Sequence, residues 1–198
     1  IPATADESCA YATKMMKGVP TVPGKMVTHN WGIFFRDLVA AIIADALDES
    51  DYCVIACLLD AEMSSLEDIL PREALEKTYW VCAFSVNQHH GICGANPQNS
   101  KDPITGIPHP ICTCGAALYF NDSPPLRDDG HSINCLMNKF DDMIAYLSSR
   151  DKTFSQVVAV DRQLTLFSRA WCLAELAIAS TMGMKQRLKV ASTSTLSQ

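Results

Sequence analysis

The chain is predicted to fold as a three-layer α/β protein, with helices on both faces of a mostly parallel sheet. Three observations predict it. Short apolar runs alternate with segments of helical period, the order expected of strands joined by crossover helices. The run at 79–86 (YWVCAFSV) is almost wholly apolar and rich in aromatic and β-branched residues, as a strand covered on both faces is. Polar side chains follow the runs directly, and open α/β sheets take ligands in the crevice beyond the carboxyl ends of their strands.

In chain order, residues 1–24 carry Pro2, Gly18, Pro20, Pro23 and Gly24 among scattered apolar positions, which predicts an N-terminal arm; 25–198 is read as one domain of ordinary size. Residues 25–30 form the first strand. After it, Phe35, Leu38, Val39, Ile42, Ile43, Ala46 and Leu47 recur at helical spacing and are expected to face the core, with Arg36, Asp37, Asp45 and Asp48 elsewhere. The stretch 51–77 suits helices better than a strand, since Cys57, Leu58, Ala61 and Leu66 are interleaved with Glu62, Glu67 and Asp68. The 79–86 run is expected to be a central parallel strand. A helix over 138–149 presents Phe140, Met143, Ile144 and Leu147, with Asn138 as N-cap and Asp141 and Asp142 in its first turn. A strand at 156–160, a helix from Ser168 to about residue 184 and an alternating edge strand at 187–191 complete the order.

Composition narrows the function. Hydrophobic residues make up 48% of the 198 and charged residues 19%, which supports a packed core. A formal charge of −6 gives neither nucleic acid nor an anionic membrane surface a reason to bind. No stretch reaches the roughly 18 to 20 apolar residues of a membrane helix, so a soluble chain without membrane insertion is expected. Nine cysteines, an odd number, do not suit a fully disulfide-bonded protein, and the expected location is the cytoplasm or another reducing intracellular compartment. Cys53, Cys57, Cys82 and Cys172 lie in apolar runs, where a thiol serves as a small core hydrophobe.

The rest of the cysteines mostly belong to a different pattern. Residues 89–135 have no sustained period and contain Pro97, Pro103, Pro108, Pro110, Pro124 and Pro125, so they form one long irregular insertion, a kind of loop that is normally functional or cross-linked. It holds Cys93, Cys112, Cys114 and Cys135 together with His89, His90, His109 and His131. Four thiolates suit a structural zinc ion, and these four cysteines are the expected ligands, with His90 or His109 able to replace one. Cys112-Thr113-Cys114 is C-x-C rather than C-x-x-C, so free thiols and disulfides stay open as alternatives.

His29, Asn30 and Trp31 after the first strand, Asn87 and Gln88 after the second, and 161–168 after the third are the candidates for the crevice. In the segment from Ser168 to Leu176 (SRAWCLAEL), Ser168, Trp171 and Glu175 fall at i, i+3 and i+7, one face of one helix, and Ser168 suits its N-cap. Unpaired N–H groups at such a helix start would suit a phosphate.

This nine-residue segment resembles the S-x-x-W-C-L-x-E-L motif of the Toll/interleukin-1 receptor (TIR) domain superfamily, and the preceding strand QVVAV is also of the family's kind. THNW after the first strand and YWVCAFSVNQ further on look like TIR-like proteins of protists and fungi. The resemblance covers roughly 25–50, 78–88 and 138–192 and departs at the insertion. It implies a flavodoxin-like sheet and that Glu175 is the catalytic carboxylate of an NAD glycohydrolase; by position alone, Asn30, Trp31, Asn87, Ser168 and Trp171 are the residues expected to line the NAD pocket. It equally implies a second possibility, since many family members are non-catalytic modules that self-associate or join larger assemblies of protein partners.

Overall fold

The computed structural model describes residues 2–61, 66, 69–94, 96 and 99–192. The chain divides into two compact units, one formed by Ile1–Thr21 with Cys82–Phe140 and the other by Val22–Val81 with Asp141–Gln198. The second unit holds the sheet, a mixed α/β arrangement consistent with a flavodoxin-like sandwich. Strands β1 (Lys25–His29), β2 (Tyr79–Val81), β3 (Ser155–Ala159) and β4 (Gln186–Lys189) lie in the order β2-β1-β3-β4, and every pairing is parallel.

Register and alternation assign the two faces. Thr28, Gln156, Val158 and Gln186 share a face, because Met26 pairs with Gln156, Thr28 with Val158 and Gln156 with Gln186. Helix α7 (Ala170–Thr181) covers that face, where Cys172 joins Val158, Val160, Leu166 and Val190 in a buried cluster. Lys25, Arg187 and Lys189 point the other way, toward α2 (Phe35–Ala46), and all three cations reach Asp45. Helix on one face, sheet, helix on the other gives the three layers.

Helix α2 corrects the expected face. Its buried residues are Asp37, Leu38, Ala40, Ala41, Ala44 and Asp45, while Phe35 is exposed and Val39, Ile42 and Ile43 are only partly covered. Alanines allow the helix to approach the strands closely, and the two acids are buried because each is paired. Arg36 and Arg162 reach Asp37 at 2.8 and 2.9 Å, and Lys25 reaches Asp45 at 2.5 Å with the Tyr79 hydroxyl donating at 2.9 Å. Burial pushes the Asp45 carboxyl up, but Lys25 and Tyr79 more than offset it and hold it ionised. Helix α3 (Cys53–Ala61) and the short α4 (Arg72–Leu75) bear out the helical reading of 51–77; Glu62, Glu67 and Asp68 lie outside the described residues.

The 79–86 run is also corrected. Only Tyr79–Val81 is strand, at the edge of the sheet and not its centre, and Cys82–Ser85 turns into helix α5. The apolar run continues because Phe84 packs on Tyr11 of α1 (Tyr11–Met15) in the first unit, with ring centroids 5.7 Å apart. Helix α6 (Phe140–Arg150) is entered through a 3₁₀ turn, Leu136–Lys139, so residue 138 lies inside that turn and does not cap the helix. Among the described residues no helix is long and apolar enough to cross a membrane.

Candidate functional site

The strand order places a topological switch point between β1 and β3, since the chain leaves β1 toward β2 on one side and β3 toward β4 on the other. The loops leaving these two strands are tied together. Asn30 Nδ2 donates to Thr165 Oγ1 at 2.6 Å, and Thr165 Oγ1 donates to Asp161 Oδ2 at 2.7 Å. Asp161 also accepts the backbone N–H groups of Thr165 and Leu166, which keeps its carboxyl ionised against the effect of burial. Around this frame stand exposed aromatic rings: Trp31 after β1, and Trp171 at the start of α7, each 44% exposed. The buried His29 imidazole, its pKa lowered by burial, has no hydrogen-bond partner at Nδ1.

Glu175 lies one layer deeper. It is 4% exposed, on the face of α7 that meets the sheet, and its Oε2 accepts the Thr28 hydroxyl at 2.5 Å. Burial raises its pKa to about 7, only partly opposed by the Thr28 hydrogen bond, so the group exchanges a proton at neutral pH. The neighbouring Cys172 thiol donates to the His29 carbonyl at 3.4 Å and is pushed up to about 11, first by burial and then by the Glu175 charge; it is an inert core thiol. Trp171 is exposed where Glu175 is buried, so the two do not share an accessible face. Ser168 does not cap α7: it lies in the 3₁₀ turn Thr165–Ser168, its hydroxyl donates to the Thr165 carbonyl at 2.8 Å, and Arg169 occupies the N-cap without a side-chain bond.

The first unit carries a metal-ligand cluster. The ligand atoms of His89, Cys93, Cys112 and Cys114 all lie within 4.8 Å of one another, and these four side chains can hold a metal ion. Cys93 Sγ and Cys114 Sγ are 3.7 Å apart, and Cys112 Sγ is 3.5 Å from His89 Nδ1. A tetrahedron with bonds of about 2.3 Å to sulfur and about 2.0 Å to nitrogen has edges of about 3.8 and 3.5 Å. The sequence builds this locally. A 3₁₀ turn, Gln88–His90, sets His89 and Cys93 four residues apart, and Asn87 Oδ1 accepts the His89 N–H at its start. Gly115, at φ +69°, turns the chain after Cys114 so that the Ala116 N–H donates to Cys114 Sγ at 3.4 Å, which lowers that thiol to about 6. On its far side, His89 Nε2 lies 2.8 Å from the buried Thr4 hydroxyl, a partner that fixes the ring's orientation.

The structure thus brings together three of the four expected cysteines. Cys135 is elsewhere, its thiol donating to Asn121 Oδ1 at 3.5 Å, and His89 takes the remaining vertex. His90, whose Nδ1 lies 2.8 Å from the Ala117 carbonyl, and His109 are outside the cluster. No disulfide joins any of the nine cysteines. Asn87 and Gln88 belong to the first unit and serve it locally: Asn87 Nδ2 donates to the Ser8 carbonyl at 2.9 Å and Gln88 Nε2 to the Cys82 carbonyl at 3.1 Å. Sequence reasoning missed His89, Thr28, Gln156 and Gln186. The four-residue spacing from His89 to Cys93 was one available signal, and polar residues inside strands that read as buried on both faces were another. Comparison of the chain with family models, with curated proteins and with solved structures returned no match.

Proposed function

We propose that the sheet unit is a TIR-like NAD glycohydrolase centred on Glu175 and that the Cys/His unit is held together by one structural zinc ion. The observation that supports the first part is the Glu175 carboxylate, buried against β1 beside the β1/β3 switch point with a pKa of about 7. In the reaction the bond between the ribosyl C1′ and the pyridinium nitrogen breaks, and its electron pair leaves on nicotinamide, which departs neutral. A carboxylate next to C1′ stabilises the oxocarbenium-like centre, as in glycoside hydrolysis. Water then attacks C1′ and gives its proton to Glu175, forming ADP-ribose. Exposed Trp31 and Trp171 supply apolar rings on which the flat bases of a dinucleotide can stack.

Zinc is favoured at the metal-ligand cluster by the donor set, three thiols and one imidazole, and by edges of 3.7 and 3.5 Å that match a tetrahedral Cys₃His site. A second reading, a non-catalytic interaction module, draws support from the 4% exposure of Glu175 and from the exposed rings, which also suit a protein partner or self-association. Incubation of purified protein with NAD separates the two. Nicotinamide release that Glu175→Ala lowers by about 100-fold or more supports the hydrolase; no release at high protein concentration supports the module.

A further inference from the structure

The Glu175 carboxylate ends a chain of hydrogen bonds whose direction is fixed from the other end. Gln186 Nε2 lies 2.9 Å from the Leu176 backbone carbonyl, and a carbonyl only accepts, so the amide nitrogen of Gln186 must be at this position. The same nitrogen donates to Gln156 Oε1 at 2.7 Å, which leaves the Gln156 NH₂ on its other side, donating to Thr28 Oγ1 at 2.8 Å. A hydroxyl that accepts from Gln156 turns its single hydrogen to Glu175 Oε2, 2.5 Å away. Thr28 and Gln156 are fully buried, so water does not compete with the order. The chain begins and ends on adjacent residues of α7, Glu175 and Leu176, and crosses β1, β3 and β4 between them.

We infer that Thr28, oriented by Gln156 and Gln186, is a positioning residue that keeps Glu175 Oε2 an acceptor, so that the carboxyl proton comes and goes at Oε1. That leaves Oε1 as the oxygen that meets the sugar and takes the proton of the attacking water. The inference rests on the hydrolase reading for its purpose, not for its geometry. The titratable and charged groups on the elements packed against α7 are otherwise engaged. Lys25 on β1 and Lys189 on β4 pair with Asp45, Arg187 with Asp48, Arg162 with Asp37, and Asp161 with Thr165 and the Leu166 N–H. His29 on β1 is held neutral by burial, and on α7 itself Cys172 donates to the His29 carbonyl; Arg169 lies at the N-cap.

The test is the titration of the Glu175 side-chain carboxyl, followed by carbon-13 NMR of glutamate-labelled full-length chain in the wild type, Thr28→Val, Thr28→Ser and Gln186→Leu. Removing the donor disfavours the ionised form, so Thr28→Val is expected to raise the midpoint by about one pH unit. Thr28→Ser, which keeps the hydroxyl, is expected to titrate as the wild type does. Gln186→Leu frees Gln156 to turn its carbonyl toward Thr28 and is expected to shift the midpoint upward as well, without altering the side chain that touches Glu175. An unmoved midpoint in Thr28→Val and Gln186→Leu, or a Thr28→Ser midpoint displaced as far as that of Thr28→Val, overturns the inference. A midpoint that moves in a protein without NAD cleavage supports the relay and rejects the hydrolase reading. Cleavage with an unmoved midpoint does the reverse.

Discussion

Glu175 is held where a carboxylate destabilises the fold once it ionises. Its folded pKa of about 7 stands above the ordinary 4.5, so stability that is fully present below about pH 4.5 is lost as pH rises through about 7. At about 1.4 kcal/mol per pH unit, the loss across that interval is about 3 kcal/mol. Glu175→Gln keeps the shape and an oxygen for the Thr28 hydroxyl while removing the charge. Thermal melts in matched buffers are expected to show it more stable than the wild type near pH 8, by roughly that amount, and about equal near pH 4. A glutamine variant less stable than the wild type on the alkaline side would mean that the charge is compensated. A residue that weakens the fold and is met by a dedicated donor is the pattern of a functional site. The motif made the position legible in the sequence, but its burial was not, because a charged helix residue is ordinarily exposed.

Elements carried the sequence signal unevenly, for physical reasons. The strands at 25–30 and 156–160 were legible because both sheet faces are covered there, the edge strand at 187–191 because its side chains alternate, and each appears within a residue or two of expectation. The apolar run at 79–86 was not, since a run of that length does not say whether its cover is a sheet-side helix or, as for Phe84, the ring of Tyr11. On α2 the apolar stripe misled because Asp37 and Asp45 are buried as ion pairs with partners distant in sequence. The metal-ligand cluster was visible as cysteine density, yet its fourth vertex was not, because proximity in sequence favoured His90 and His109 while the 3₁₀ turn aims His89. Zinc analysis with a chromophoric competitor is expected to find one ion per chain, lost in Cys112→Ala and Cys114→Ala and retained in Cys135→Ala. Thr4→Val, which removes the partner of His89 Nε2, should weaken binding by about 10- to 100-fold, and Thr4→Ser should not. Loss in Cys135→Ala with retention in His89→Ala would move the site back to the four cysteines. A chelator should raise hydrogen exchange in 82–140 and leave the strands of the sheet protected.

At the scale of the molecule, the two units are stabilised by different means. Apolar layers around a parallel sheet hold one; the other, rich in proline and with little regular structure among its described residues from 91 to 135, carries the cysteine and histidine cluster. The sequence shows both chemistries but assigns 1–24 to an arm and 89–135 to an insertion; in the structure Ile1–Thr21 and Cys82–Phe140 share a unit, joined by contacts such as Thr4 with His89 and Ser8 with Asn87. Sequence separation conceals such pairings. The sheet unit is proposed to cleave NAD with an ionised, buried Glu175. The measurement that tests this most directly is the pH dependence of kcat/KM for nicotinamide release by the full chain. Because the carboxylate must be charged to stabilise the ribosyl centre, the rate is expected to rise with pH, level off above a midpoint near 7, and vanish in Glu175→Ala. A rate that is flat through neutrality, that falls as pH rises, or that survives Glu175→Ala would rule out Glu175 as the catalytic carboxylate.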